Sequence, residues 1–210
     1  AAKNLVPVTL ELGGKSPVLV SRSADIKKAV SRIMLGKTMN AGQICLAPDY
    51  LMVPEEKVDE VIEEVKQIVA EMYPSLLENP QYTSVVNDRH YQRLQDNIAD
   101  AKAKGAEVIE CNPASEDFSS QQGTHKIPPT IIKNPTDDMR VLQEEIFGPL
   151  LPIKTYKDFG ETINYVNANP RPLAVYYFGE DAGEERAVLD RTTSGGVTLN
   201  DVIMHIMQED

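Results

Sequence analysis

Short apolar runs alternate along this chain with longer stretches in which apolar residues recur at helical spacing, and that alternation restricts the fold more than any other feature. The runs at residues 17–20, 50–53, 107–110, 130–133, 150–156 and 173–178 read as strands. Between the first two, Ile26, Ala29, Val30, Ile33 and Met34 form one helical face, which Ser23 or Asp25 can cap. From Glu55 onward Val58, Val61, Ile62, Val65, Ile68, Val69 and Met72 repeat the pattern, and Pro74 ends it. Further helices are predicted over residues 88–104, 157–167 and 183–191, with an exposed polar loop over 112–123. Residues 8–12 alternate apolar and polar ahead of Gly13-Gly14, which predicts a first strand and a turn into the run at 17–20. Strands and helices in this order predict an α/β fold built on an open, mostly parallel twisted sheet with helices on both faces.

A chain of 210 residues can bury one substantial core or two small ones, and with no internal repeat or dividing linker a single α/β domain is expected. Hydrophobic residues at 41% and charged residues at 25% are those of a folded globular protein. A formal charge of −11 repels nucleic-acid backbones and anionic membranes, so neither is an expected partner. Two cysteines, Cys45 and Cys111, make no disulfide framework, and their spacing is not that of a zinc site. The three histidines lie far apart in sequence, and no metal is expected. No apolar run approaches the length of a membrane span and the first residues lack the pattern of a leader, so a cytoplasmic location is expected.

Gly14-Lys15-Ser16 has the ending of a phosphate-binding loop, but Thr9 stands where that loop needs its first glycine, and Pro17 opens a strand where it needs a helix. A nucleotide triphosphatase is therefore excluded. What is left is Glu11 at the end of an extended run, followed by a Gly-Gly turn that allows close backbone approach to a ligand. Taken alone, Glu11 also fits an ordinary solvent-facing turn. Cys45 lies on a loop after Asn40-Ala41-Gly42, between a helix end and a strand, where partial exposure and nearby backbone N–H groups favour thiolate chemistry. Taken alone, it also fits a free structural cysteine, which is the reading given to Cys111.

Together the segments match a family. Leu10-Glu11-Leu12-Gly13-Gly14-Lys15-Ser16-Pro17 resembles the glutamate signature of aldehyde dehydrogenases, and Asn40-Ala41-Gly42-Gln43-Ile44-Cys45 resembles their cysteine signature. Glu144-Glu145-Ile146-Phe147-Gly148-Pro149 resembles the family segment that contacts the nicotinamide end of the cofactor. The resemblance implies Cys45 as nucleophile and Glu11 as the base that activates water. It also implies Glu145 on the nicotinamide ribose, Phe147 beside the ring, and Gly13 as a close backbone approach to the cofactor, which would be NAD or NADP.

The resemblance covers all 210 residues, yet the family's chains are typically more than twice as long. It therefore implies that residues 1–210 are the catalytic domain, with the dinucleotide-binding domain and the oligomerisation strand elsewhere in a longer chain that forms a homo-oligomer. The Pro-Trp-Asn segment that supplies an oxyanion donor in the family has no counterpart, the chain having no tryptophan. Cys45-Leu46-Ala47-Pro48-Asp49-Tyr50 and the stretch from Asn200 to Ile206 are similar to the class-three branch and its bacterial coniferyl aldehyde dehydrogenase relatives. That likeness implies a hydrophobic or aromatic aldehyde, with Met39, Asn200, Ile203 and Ile206 as candidate walls of the substrate pocket. The competing functions are a catalytically silent relative and an acylating one that passes its thioester to coenzyme A.

Overall fold

The computed structural model describes residues 2–207. Seven strands form one sheet: β1 (Pro17–Val20), β2 (Tyr50–Pro54), β3 (Glu107–Glu110), β4 (Thr130–Lys133), β5 (Leu150–Tyr156), β6 (Ala174–Phe178) and β7 (Gly196–Leu199). Their spatial order is β3-β4-β5-β2-β1-β6-β7. Every neighbouring pair is parallel except β3 with β4, so the sheet is mostly parallel as the alternation predicts.

Side-chain alternation in the central strands feeds a core on each face. Val18, Val20, Leu51, Val53 and Tyr176 pack with Ile33 of α1 (Ile26–Thr38) and with Val61 and Val65 of α2 (Val58–Met72). Leu19, Tyr50, Met52 and Tyr177 point the other way, onto Leu94 of α3 (Asp88–Ala103), Leu142 of α4 (Arg140–Gln143), Ile163 of α5 (Phe159–Ala168) and Val188 of α6 (Ala182–Arg191). Strands buried on both faces read as continuous apolar runs, which is why 17–20, 50–53 and 173–178 are recognisable. Asp25 caps α1 by accepting from the Lys28 N–H, and Asp158 and Glu161 form a capping box at α5.

Two local expectations need correction, and two elements are additions to the pattern. Residues 8–12 form no strand: residues 3–12 are exposed, and no strand among the described residues pairs with them, so the alternation there has no sheet to join. The helix after Tyr50–Pro54 opens with a 3-10 turn, Glu55–Lys57, and becomes α-helical only at Val58. Strand β7 and helix α4 have no counterpart in the sequence pattern, since a four-residue strand that begins on glycine and a four-residue helix carry little periodicity.

Candidate active site

The segments singled out in the sequence converge at the amino ends of the strands. Residues 11–16 lead into β1, residues 45–49 into β2 and residues 144–149 into β5, and these three strands are neighbours in the sheet. Open α/β sheets ordinarily bind ligands at the carboxyl ends. Here the convergent loops lie at the opposite edge.

Glu11 is exposed, and its Oε1 accepts from the Gly13 N–H at 2.9 Å, which folds the carboxylate over the glycine turn. Gly13 has φ +76°, and a Cβ there would lie 2.4 Å from Oε2 of Glu145. The two carboxylates thus share one turn. Glu145 is half-buried, and burial foremost, then the charge of Asp49, pushes its carboxyl above the ordinary range; the Gly14 N–H and Lys15 oppose that shift, and Glu11 adds to it.

Lys15 ties the three segments together. Its Nζ donates to Asp49 Oδ1 at 2.5 Å, to the Glu144 carbonyl at 2.7 Å and to the Val141 carbonyl at 2.8 Å. Asp49 is buried, its Oδ2 accepts from the Ile146 N–H at 2.9 Å, and its own N–H donates to the Ser16 carbonyl. Arg93 of α3 donates to the Ile146 carbonyl at 2.6 Å and the Glu145 carbonyl at 3.3 Å. Charge-assisted hydrogen bonds of this kind are stronger than neutral ones and fix the backbone at residues 144–146.

The Cys45 loop begins with left-handed backbone at Asn40 (φ 51°) and Ala41 (φ 53°), a conformation that costs a non-glycine residue on the order of 1–3 kcal/mol. Gly42 follows at φ +72°, and a Cβ there would meet the Gly148 carbonyl oxygen at 2.4 Å. Only glycine lets the loop lie against the turn that carries Phe147, itself left-handed at φ 48° and exposed. The Gln43 side chain anchors the loop laterally, donating to the Ser84 carbonyl and accepting from the Val86 N–H. Cys45 is half-buried, whereas Cys111 is buried, and burial pushes its thiol up to about 11.

The four candidate pocket residues lie in unlike surroundings. Met39 and Ile206 are exposed, Ile203 is buried in the core over Gly36, and Asn200 has its side chain occupied by Gly179, whose N–H it accepts and whose carbonyl it donates to, both at 3.0 Å. A cavity of about 630 Å³ lies beside the glycine turn, bounded by Gly14, Lys15, Tyr50, Leu142, Glu145 and Tyr165.

The profile of the aldehyde dehydrogenase family matches residues 1–209. The chain belongs to the aldehyde dehydrogenase family. It is 60% identical over 209 residues to the "Probable coniferyl aldehyde dehydrogenase" of Caulobacter vibrioides and 59% identical over 209 to the "Coniferyl aldehyde dehydrogenase" of a Pseudomonas species; each match covers 100% of this chain and 43% of the relative. Among solved structures, a substrate-bound aldehyde dehydrogenase of Staphylococcus aureus superposes with a TM-score of 0.89 at 38% identity, covering 99% of this chain and 43% of that one. The chain therefore spans less than half the length of these aldehyde dehydrogenases.

Lys15, Asp49 and Arg93, which hold these segments together, are given no role by the sequence patterns. Lys15 and Asp49 sit inside quoted motifs, but their ion pair spans 34 residues, a separation no local pattern reveals.

Proposed function

We propose that the full-length protein oxidises an aldehyde to a carboxylic acid, with Cys45 as nucleophile and Glu11 as base. The observation that carries this reading is the pair of glycine contacts, Gly13 against Glu145 and Gly42 against Gly148, which gather the glutamate, cysteine and third motif at one edge of the sheet. The Cys45 thiolate attacks the aldehyde carbon, a C–S bond forms, and the carbonyl electrons pass to oxygen, with the Cys45 N–H a donor to that oxyanion. A bound nicotinamide dinucleotide would supply the acceptor for the hydride released as the carbonyl reforms, leaving Cys45 acylated as a thioester. Glu11 removes a proton from water as it adds to the thioester, and the C–S bond then breaks to return the thiolate and the acid.

The residues present fit one end of NAD or NADP. Glu145 is a half-buried carboxylate able to accept from ribose hydroxyls, Phe147 exposes a ring held by strained backbone, and Gly13 leaves the turn open to close approach. The rest of the cofactor site falls to a dinucleotide-binding domain in the longer chain, together with the oligomerisation strand of a homo-oligomer. The 60% and 59% identities to coniferyl aldehyde dehydrogenases favour a hydrophobic aromatic aldehyde as substrate. The test is to mix the full-length enzyme with coniferyl aldehyde and cofactor, trap the acyl intermediate and map the modified peptide. Label is expected at Cys45; label at Cys111 alone overturns the reading.

A further inference from the structure

Two buried polar side chains, from different elements on the same face of the sheet, close on the backbone immediately after Cys45. Tyr176 of β6 is 0% exposed, and its hydroxyl donates to the Leu46 carbonyl at 2.7 Å while accepting from the Ile203 N–H at 3.2 Å. Lys37, in the last turn of α1, is 1% exposed, and its Nζ donates to the Pro48 carbonyl at 2.9 Å. No other hydrogen-bond partner of the Lys37 ammonium occurs among the described residues.

A fully desolvated lysine with one carbonyl partner is costly to keep, since buried ammonium groups normally find a carboxylate in direct contact. Burial indeed pushes Lys37 down to about 8, partly offset by the Asp49 charge, while the Lys15 charge adds to the depression. The neighbouring Asp49 carboxylate is already taken by Lys15 and the Ile146 N–H. Packing could fill the same space with an apolar chain of equal length, so the ammonium is accounted for by what it holds.

We propose that Tyr176 and Lys37 are positioning residues for the nucleophile, fixing the Leu46 and Pro48 carbonyls so that Cys45 Sγ is presented in one direction. This inference rests on Cys45 being the nucleophile. Residues 46–48 follow the strained Asn40 and Ala41 backbone and precede β2; the Gln43 and Asp49 anchors flank them, the Ala47 N–H closes a turn onto the Ile44 carbonyl, and Tyr176 and Lys37 add the bonds that hold the Leu46 and Pro48 carbonyls. Tyr176 also couples that loop to the turn containing Ile203, so one hydroxyl holds both the nucleophile's loop and that turn. Misplacement of a reacting atom by about 1 Å can cost on the order of a hundredfold in rate, a penalty large enough to justify a buried charge that anchors the loop.

The experiment uses the full-length enzyme without cofactor and follows the 4-nitrophenolate burst from 4-nitrophenyl acetate, in which Sγ bonds the acetyl carbon and 4-nitrophenolate leaves. Tyr176→Phe removes one oxygen, and Lys37→Met keeps the chain length without the donor. Each is expected to slow the burst rate constant about tenfold with burst amplitude and Tm near wild type, and the double variant to lose no more than about the worse single, because both act on one loop. A lower amplitude with an unchanged rate constant, or rate constants within twofold of wild type in both variants, overturns the proposal. Cys45→Ser separates the two readings: with no burst in that variant, a wild-type burst in Tyr176→Phe and Lys37→Met fells the positioning role alone, whereas a surviving burst fells the nucleophile assignment with it.

Discussion

The two cysteines carry the same thiol into unlike surroundings, and their reactivities should separate accordingly. Cys111 is buried with its thiol raised to about 11, so at pH 8 only on the order of one molecule in a thousand holds it as thiolate. Its alkylation by iodoacetamide in the native protein should be slow at pH 8 and rise about tenfold per pH unit until near 11, the thiolate being the form that reacts. Cys45, half-buried on its loop, should take the reagent first, as peptide mapping over a time course would show. Equal labelling of both thiols at pH 8 would contradict this. Glu11 makes a second prediction at the same scale. Glu11→Gln in the full-length enzyme should leave a burst of reduced cofactor, then turn over at least about tenfold more slowly, since a base matters when water attacks and not when hydride departs. Stopped-flow absorbance measures both phases, and a wild-type steady state would remove Glu11 from the base role.

Among the elements, local patterns are the readable part. Ile26 through Met34 and Val58 through Met72 announce α1 and α2 because each buries one stripe, and the capping Asp25 marks where the first begins. Strand β7 is silent because Gly196 and the partly exposed residues after it carry no run. Residues 8–12 mislead because period-two alternation reports a strand-like face whether or not a partner strand is at hand. The stitch from Lys15 to Asp49 and to the Val141 and Glu144 carbonyls is beyond such patterns, since it depends on which loops the sheet order brings together. Lys15→Met should show its weight. Removing one partner from a buried pair costs about 3–5 kcal/mol, and with Lys15 17% exposed a loss of about 2 kcal/mol is expected. Urea unfolding should show a lower midpoint at unchanged slope, and a midpoint equal to wild type would mean that the stitch is dispensable.

For the molecule as a whole, the sequence motifs locate the candidate site, but the order β3-β4-β5-β2-β1-β6-β7 is not legible, because strand pairing is settled by contacts between distant segments. The aldehyde dehydrogenase relatives are more than twice as long as this chain, so the 210 residues assayed alone should give little NAD(P)-dependent oxidation of coniferyl aldehyde. A few hydrogen bonds of about 0.5–1.5 kcal/mol each at one end of a cofactor do not offset an association cost of about 4–15 kcal/mol. Comparable turnover by the 210-residue chain and the full-length enzyme would refute this. The exposed stretch at residues 5–12 has a further consequence, for proteases. A protease needs several residues of accessible backbone to enter its cleft, and this stretch offers them while the seven-stranded sheet does not. Brief digestion of the 210-residue chain should therefore trim its amino terminus first and leave a resistant fragment beginning near Gly13. That fragment would keep Cys45 and Glu145 and lose Glu11, so on the roles proposed above a single cut would part the residue that takes up an acyl group from the residue that activates water to remove it.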